Sequence, residues 1–547
     1  RDLYNYKENI VDTDSPRWDF RLDQQITTGR QGIITNMDSN SDRYVIDLFA
    51  TYNTTIAKKH NVGVLVGYNQ EYCKSWWFNA RKAGLISLST PVLTAASDLQ
   101  SSDGGKDDYA MRSYFGRINY DYAGKYLFEA NVRMDGSSRF APGNRWGTFP
   151  SFSAAWRISE EAFWEDLKPI VDNLKIRASW GRLGNNGIGN YDWQNVYSPA
   201  NTSFGDAIQQ GVWTTAIANR DISWEKTDVV DLGLDVNLFG SLSLTFDYYN
   251  KLTHGILYRN PIPYVNGGLG APMINSAKVR NRGFEFSASY NKNFGDLGFA
   301  VSVNGAYNRN EIIDYKGDYL EINGATVWTE GQPIGKFYMR EIDHIVQDKA
   351  EIDKLVSEGW TFSPSRPEPG DFLYKDLNND KRIDDKDRVL KGQPLPLFTF
   401  GGSIAFSYKN FDLSALFSGV AGWDRYLSTG IFSLTNADTE RLFLKKFQNQ
   451  WSETNRNTNI PKLYASNEKN NQVSDYYLYD ASFLRLKTLQ LGYTLPKNLI
   501  PKVRIRAYCN LENYFTITSY PGMDPEMNGD VGYPILKTVS LGVNIKF

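Results

Sequence analysis

The residues nearest the C-terminus alternate between apolar and polar side chains. Successive side chains of an extended strand point to opposite faces, so a period of two sorts them by face. One face carries Val539, Leu541, Val543, Ile545 and Phe547, and the other carries Ser540, Gly542, Asn544 and Lys546. The first face suits hydrocarbon and the second suits water.

The same period returns along the chain, for example in residues 226–239 and 298–308. A soluble β-sandwich alternates in this way too, but its connections are short. Here tight turns are predicted at residues 123–124, 240, 294–297 and 409–410, and long connections at 136–150, 183–225, 251–281, 309–397 and 420–482. Structureless loops of that length are uncommon in compact soluble domains, whereas outer-membrane barrels place short turns in the periplasm and long loops outside.

The alternation predicts about 16 strands, and a chain built of so many strands belongs to the all-β class. Their predicted centres lie near residues 22, 49, 66, 117, 130, 154, 178, 232, 246, 287, 303, 403, 415, 488, 506 and 542. With the two longest loops outside, both ends of the series lie at the periplasmic edge, and the strand count is even, as in bacterial barrels. We therefore predict an all-β protein, a transmembrane antiparallel β-barrel with short periplasmic turns and long extracellular loops.

Composition supports this interpretation. Aromatic residues make up 14 % of the chain, with 34 Tyr and 14 Trp, and barrels place such rings in girdles at both membrane interfaces. An aromatic-rich carbohydrate-binding β protein is the alternative. The sequence has no run of about 18 apolar residues, so it predicts no transmembrane helix. The net charge of −2 creates no field that would attract nucleic acid.

The two cysteines and the first residues complete the general picture. Cys73 and Cys509 are too few for a disulfide scaffold, and Cys509 continues an apolar stripe as a small hydrophobic residue. The sequence starts at Arg1 and shows no signal-peptide pattern. We therefore expect a processed, truncated or partly observed chain.

Several segments carry long motifs, and the longest covers residues 113–161. It contains two strands, a tight turn, DGSSRF and WGTFPSFSAAWRISEE. The further motifs are LKIRASWGRLGN at 174–185, WEKTDVVDLGLD at 224–235, NRGFEFSASY at 281–290, GDFLYKDLNNDKRIDDKDR at 370–388, DASFLRLKTLQLGYTLP at 480–496 and NLENYFTITSYPGMDPE at 510–526. In this order they resemble the SusC/RagA family of TonB-dependent outer-membrane transporters from Bacteroidetes.

The resemblance implies more than the alternation shows. It implies a barrel of about 22 strands, an N-terminal plug in its lumen, a TonB-binding segment and a SusD-like lipoprotein over the outer mouth. Residues 1–547 are then expected to be the C-terminal part of the barrel, with the plug and the first strands not in this chain. An open sheet would expose unpaired backbone groups to lipid, so the missing strands must come from another segment or chain. The chain alone is not expected to transport.

By this resemblance the whole protein is an importer in the bacterial outer membrane, and it is not an enzyme. The implied cargo is an oligosaccharide or an oligopeptide, and the tryptophans of the long loops favour an oligosaccharide. A second class is an adhesive or structural barrel without a plug. A third, a membrane-embedded hydrolase, needs a catalytic group, yet His60, His254 and His344 show no spacing typical of a zinc site or of a Ser/His/Asp triad.

An acidic segment forms a candidate metal site. Oxygen donors stand at the first, third, fifth, ninth and twelfth positions of an EF-hand-like loop, with a backbone carbonyl at the seventh. These residues are Asp376, Asn378, Asp380, Arg382, Asp384 and Asp387. The spacing suits Ca²⁺, but Lys381 replaces the usual Gly and Asp387 is shorter than Glu. The alternative is a solvated turn held by Asx hydrogen bonds.

The long loops also contain tryptophans, whose rings can stack on sugars or line recognition pockets. The candidate cargo contacts are Trp193, Trp213, Trp328, Trp360 and Trp423. The alternative is that these rings fill the cores of the loops themselves. A different set of polar residues is expected to face the barrel lumen, because a midplane Arg or Lys turned to lipid costs about 2 to 4 kcal/mol: Arg117, Asn119, Asp121, Glu129, Asn131, Arg133 and Asp135.

Overall fold

The structure is a computed structural model of residues 1–547. It describes all of them except 1–4, 12–16, 20–23, 27–32, 86–91, 206, 261, 264, 266, 268, 316–320, 429–431, 435–443, 465–468, 497, 498, 500–502 and 528–531. No helix in this described part of the chain has the length and apolar character needed to cross a membrane.

Among the described residues one antiparallel sheet of 16 strands dominates the fold, and each of its strands pairs with the next strand of the sheet along the chain. The strands are β1 (Asn5–Val11), β2 (Ile33–Ile56), β3 (His60–Leu85), β4 (Ala96–Tyr122), β5 (Tyr126–Ser137), β6 (Trp146–Arg157), β7 (Val171–Asn185), β8 (Glu225–Leu238), β9 (Leu242–Arg259), β10 (Met273–Phe294), β11 (Leu297–Asp314), β12 (Phe398–Tyr408), β13 (Phe411–Ala421), β14 (Phe483–Thr494), β15 (Arg504–Thr518) and β16 (Thr538–Lys546). The predicted all-β class and strand number are confirmed.

Tight turns join the strands at one edge of the sheet, as predicted. Ala123 and Gly124 connect β4 to β5 with φ angles of 53° and 71°, and Phe239 and Gly240 connect β8 to β9 with 55° and 59°. Lys409 has a φ of 52° between β12 and β13. Turns in this left-handed region follow the right-handed twist of the flanking strands, so they join neighbours with few residues.

One detail of the predicted layout was wrong, and another lies outside the described residues. The strand centre predicted near residue 22 lies outside the described residues; the first strand of the described sheet is β1, and Arg17–Asp19 pairs with Gln24–Ile26 in a separate two-stranded sheet. The predicted loop 251–281 is largely strand, because β9 continues to Arg259 and β10 begins at Met273. A membrane crossing needs about 9 to 11 strand residues, so these strands extend beyond the bilayer.

The two faces of the sheet differ as the alternation predicts. On β16, Leu541 is 82 % exposed, Val543 63 % and Ile545 51 %. The same face on β8 exposes Val230 and Leu232. Apolar side chains exposed on a contiguous face match the lipid-facing surface of a barrel, and the polar residues that alternate with them therefore face the lumen.

The outer loops carry structure of their own. Their strands are Tyr197–Phe204, Ala207–Thr214, Glu321–Asn323, Thr326–Trp328, Lys336–Arg340, Ile342–Ile345, Thr361–Phe362, Phe372–Tyr374, Arg382–Ile383, Arg388–Lys391, Asp424–Tyr426 and Leu478–Asp480. In the described residues of these loops the α-helix is Lys349–Ser357, and the 3-10 helices are Leu93–Ala95, Asp385–Asp387, Lys445–Asn449 and Asp475–Tyr477. Two further 3-10 helices, Ile158–Glu160 and Ala162–Leu167, lie in the connection from β6 to β7, at the edge of the sheet that carries the tight turns.

Two long connections, β11 to β12 and β13 to β14, fold together into one unit, which we call the outer body (336–391 and the described residues of 424–480). Asp424–Tyr426 pairs with Leu478–Asp480, and the Arg340 N–H donates to the carbonyl of Val473 over 3.0 Å. Its buried core is Ile345, Val346, Ile352, Phe372, Leu373, Tyr374, Ile383, Leu434, Phe447, Trp451, Ile460 and Tyr477. The long loops are therefore packed against one another.

Candidate functional site

The lumen face of β4 and β5 carries the predicted polar residues. Arg117 pairs in register with Asn131, and Asn119 with Glu129. The alternate residues on the opposite face are exposed and apolar: Ile118, Phe128, Val132 and Met134. The predicted inward orientation of the polar set is confirmed.

A charge network crosses three strands of the lumen wall at Arg177 on β7. Its Nε and Nη2 donate to the two carboxylate oxygens of Asp235 over 2.9 and 3.1 Å. Nη2 also lies 2.8 Å from Oδ1 of Asp247 on β9. Gly233 on β8 lies between Arg177 and Asp247 and pairs with both in register. A Cβ at Gly233 would lie 2.5 Å from the Arg177 Cζ. The absence of a side chain at Gly233 lets the guanidinium reach across the strand.

The same arrangement recurs on the last strands. Arg506 on β15 donates from Nε to Asp412 on β13 over 2.9 Å, and its Nη2 donates to Gln490 over 2.8 Å. Gly492 on the intervening strand again leaves the space, because a Cβ there would lie 2.6 Å from Asp412 Oδ1. Sequence reasoning missed both networks. Their signal is a glycine on the polar parity of a strand, flanked in the neighbouring strands by an Arg and an Asp.

The wall lines an open cavity of about 640 Å³ on the lumen side, next to the tight turns at 57–59 and 123–125. Its polar lining includes Asn61, Asn119, Asp121, Glu129, Arg177 and Asp231. Charges of both signs and amide groups stand side by side there. Such a surface can hydrogen-bond a hydrophilic molecule or a folded polar segment.

The outer body is held by buried polar groups as well as by its core. Arg340 is 2 % exposed, donates to the Ser363 carbonyl over 2.7 Å and to Asp385 over 2.9 Å. Hydrogen bonds from Lys391 and Lys375 hold the pKa of the Glu341 carboxyl below its ordinary value. Burial raises the pKa of Tyr477 well above its ordinary range.

The acidic segment is a series of turns closed by its own side chains. Asp376 accepts from the Lys381 N–H over 2.9 Å, and Asp380 accepts from the Arg382 N–H over 2.8 Å. Asp387 is fully buried and accepts from the N–H groups of Leu377 and Asp384, both over 2.9 Å. Asn378 and Asp384 bond backbone N–H groups in the same way. Among the described residues, no group of three or more His, Cys, Asp or Glu side chains is gathered for a metal.

One feature of this segment resembles a calcium loop more than its sequence suggests. Lys381, at the position where EF-hand loops carry Gly, has a φ of 61°. This left-handed conformation is the one that glycine adopts without strain. The backbone therefore makes the sharp turn despite the substitution.

Four of the five predicted tryptophans pack against loop structure. Trp193 packs on the cluster of Phe140, Phe149, Ile188, Ile222 and Trp224, and Trp360 packs on the outer-body core. Trp328 lies 5.8 Å from the Tyr258 ring, and Trp423 donates from Nε1 to the Pro394 carbonyl over 3.2 Å. Trp213 differs, because 46 % of it is exposed. Ring contacts of the described residues join none of the five to another.

The histidines and cysteines have local roles. His60 bonds Tyr120 through Nδ1 over 2.9 Å, and His254 lies 3.1 Å from Asp228. His344 contacts Asp343 and Glu351. Cys73 and Cys509 are free thiols.

Comparison with known proteins identifies the family. Residues 2–513 match the family described as TonB dependent receptor-like, beta-barrel. The chain belongs to this family. It is thus an outer-membrane β-barrel protein, and the resemblance to SusC and RagA noted in its sequence is confirmed.

Individual relatives agree. TonB-dependent receptor P3 of Formosa agariphila is 32 % identical over 547 aligned residues, covering 93 % of this chain and 52 % of that receptor. TonB-dependent receptor SusC of Bacteroides thetaiotaomicron is 31 % identical over 466, covering 80 % and 44 %. The solved RagAB peptide transporter has a TM-score of 0.80 at 27 % identity, covering 94 % of this chain and 56 % of that one. The chain thus spans about half the length of the curated relatives it matches.

Proposed function

We propose that the full-length receptor imports an oligomeric, hydrophilic nutrient across the outer membrane, in partnership with TonB and a SusD-like lipoprotein. The observation that carries the proposal is the wall: a lipid-exposed apolar face backed by a polar lumen face with the paired charges of Arg177, Asp235 and Asp247. Such a wall surrounds a hydrophilic path. Membership of the TonB-dependent receptor family supports transport as the kind of function.

Two cargo classes have support. The exposed ring of Trp213 favours an oligosaccharide, because an aromatic face can stack on a sugar. Similarity to the RagAB peptide transporter favours a short peptide. The other tryptophans add little to the glycan case, since they pack against loop structure.

Calorimetric titration of the full-length receptor with its lipoprotein tests the proposal against both classes. We expect heat of binding with one panel, of oligosaccharides or of peptides of mixed sequence, and none with the other. If glycans are the cargo, Trp213→Ala will weaken binding by about 1 kcal/mol or more, whereas Phe204→Ala on the same hairpin will not. A complex that binds neither panel and takes up neither cargo in cells contradicts import.

An exposed hairpin in the loop between β7 and β8 supports the proposed partnership with the lipoprotein. Tyr197–Phe204 and Ala207–Thr214 form their own two-stranded sheet. On one face Ile208 is 76 % exposed and Val212 72 %. An isolated hairpin is marginally stable in water, and large exposed apolar patches mark interaction sites. We infer that this hairpin docks on the lipoprotein.

We also propose that the acidic segment binds Ca²⁺. Support comes from the oxygen donors at EF-hand spacing and from the left-handed Lys381. We expect Ca²⁺ to protect residues 370–390 from proteolysis relative to EDTA, and Asp376→Asn with Asp380→Asn to abolish the protection. Asp353→Asn, an acid removed from the nearby helix, serves as the control. Equal cleavage with Ca²⁺ and with EDTA would show that the segment binds no Ca²⁺ and is a turn closed by its own hydrogen bonds.

A further inference from the structure

The outward face of β9 to β11 changes character towards the extracellular side. Tyr248, Phe284 and Tyr307 stand side by side in register, and the last two rings lie 5.4 Å apart. Two residues further out, the next row on the same face is Asn250, Arg282 and Arg309. An aromatic row is thus followed at once by a charged one.

The charged region continues over five strands. Strand alternation places its members on the face that exposes Val230, Leu232, Phe246 and Tyr248. The bases are Arg182, Lys226, His254, Lys278, Arg280, Arg282 and Arg309, and the acids are Asp228, Glu311 and Asp314. We call these residues the outer basic belt.

The belt has more positive than negative charge. Arg182 binds Asp228 through two hydrogen bonds of 2.7 and 3.0 Å, Lys278 lies 3.3 Å from Asp314, and Arg282 lies 3.8 Å from Glu311. Six Lys and Arg face three carboxylates, so the difference is +3 with histidine neutral. The acids in the belt therefore neutralise only part of it.

The position of Arg282 and Arg309 points to an anionic ligand. These residues are direct cross-strand partners on β10 and β11. Like charges placed opposite one another destabilise a strand pair. An anion held between the two guanidinium groups would remove this repulsion and accept hydrogen bonds from both.

The depth of the outer basic belt in the membrane indicates which ligand it contacts. Interface aromatics lie at the headgroup level of a bilayer, and two strand residues advance about 7 Å. The belt therefore begins just outside the aromatic row, at the end of the strands that leads into the long extracellular loops. Because its side chains point away from the lumen, they meet neither cargo nor plug.

We propose that the outer basic belt binds the phosphate groups of lipid headgroups in the outer leaflet. Arginine is suited to this ligand, because its planar fork donates two parallel hydrogen bonds to a phosphate. The aromatic row below supplies apolar contact for the acyl chains. The proposal does not depend on what the receptor imports.

The test uses the full-length receptor in detergent and a diphosphorylated glucosamine glycolipid as the probe, read out by native mass spectrometry. We expect Arg282→Gln with Arg309→Gln to retain the glycolipid at least 10-fold less well than wild type. The matched control is Lys251→Gln with Arg117→Gln, which removes the same charge from the lumen face and should retain it normally. The same glycolipid after phosphatase treatment should bind wild type as weakly as the variant binds the intact probe.

Four results would overturn the proposal. Equal retention by wild type and the belt variant shows that the belt does not hold the lipid. Equal binding of the dephosphorylated probe removes the role of phosphate, and full displacement by millimolar inorganic phosphate shows a site for a soluble anion. If the belt variant instead loses a second copy or an acidic partner protein, the belt is a protein interface. A melting temperature of the belt variant equal to that of wild type verifies that the variant is folded.

Discussion

Replacing Arg485 by methionine will release the segment 519–527 from the barrel wall. Arg485 is 1 % exposed, and its Nη2 and Nη1 each lie 2.6 Å from a carboxylate oxygen, of Asp524 and Glu526 respectively. Removing one partner of a buried ion pair costs about 3 to 5 kcal/mol, because the remaining charges lose their compensation. Hydrogen exchange of residues 519–527 should accelerate on the order of 10²-fold or more.

Two further variants separate the buried charge from general disturbance. Lys487→Met removes a partly exposed cation that lies 2.7 Å from the same Glu526, and it should cost under about 1 kcal/mol. Combining Arg485→Met with Asp524→Asn should recover part of the protection, since Glu526 keeps Lys487 as its partner and no carboxylate is then left without a cation. If residues 519–527 exchange in the Arg485→Met variant at the wild-type rate, the ion pairs do not hold this segment.

Substituting Ile208 and Val212 by threonine will weaken lipoprotein binding by about 10²-fold. The two side chains share one exposed face of the hairpin, and burying each at an interface contributes about 1.5 kcal/mol or more. Threonine keeps the β-branched shape, so the hairpin itself should persist. Biolayer interferometry between the full-length receptor and the soluble part of the lipoprotein measures the change.

The control for this prediction lies between the two positions. Gln209→Thr changes an exposed polar residue on the opposite face of the same strand and should leave the affinity within about 2-fold. This experiment depends on the proposed partnership. Unaltered affinity in the Ile208 and Val212 variant would place the docking surface elsewhere, whereas the absence of binding by wild type would count against the partnership itself.

Strand alternation predicted the membrane-embedded parts of β2 to β16, but not β1. It also failed where strands continue beyond the hydrocarbon, and β9 and β10 show the reason. Beyond the row of Tyr248 and Phe284 the outward face leaves the hydrocarbon, so Arg280 and His254 stand where apolar residues would otherwise alternate, although the strands continue. The pattern of apolar residues therefore ended before the strand did, and residues 251–281 looked like a loop.

The roles of the loop tryptophans show a second limit. Trp360 belongs to a core built from Ile352, Phe372 and Tyr477, which come from two different loops. Exposure of a ring depends on such partners, and their approach is set by long-range packing. Composition alone therefore could not separate Trp213, which is exposed, from the rings that fill loop cores.

The sequence by itself determined which face of each strand meets lipid and where the tight turns fall, because both depend on neighbouring residues and on the period of a strand. Only the tertiary structure decided that Arg177 reaches Asp247 across Gly233, and that two loops share one core. Those contacts join residues far apart in the chain. Their geometry depends on strand register and loop packing, which a local pattern does not contain.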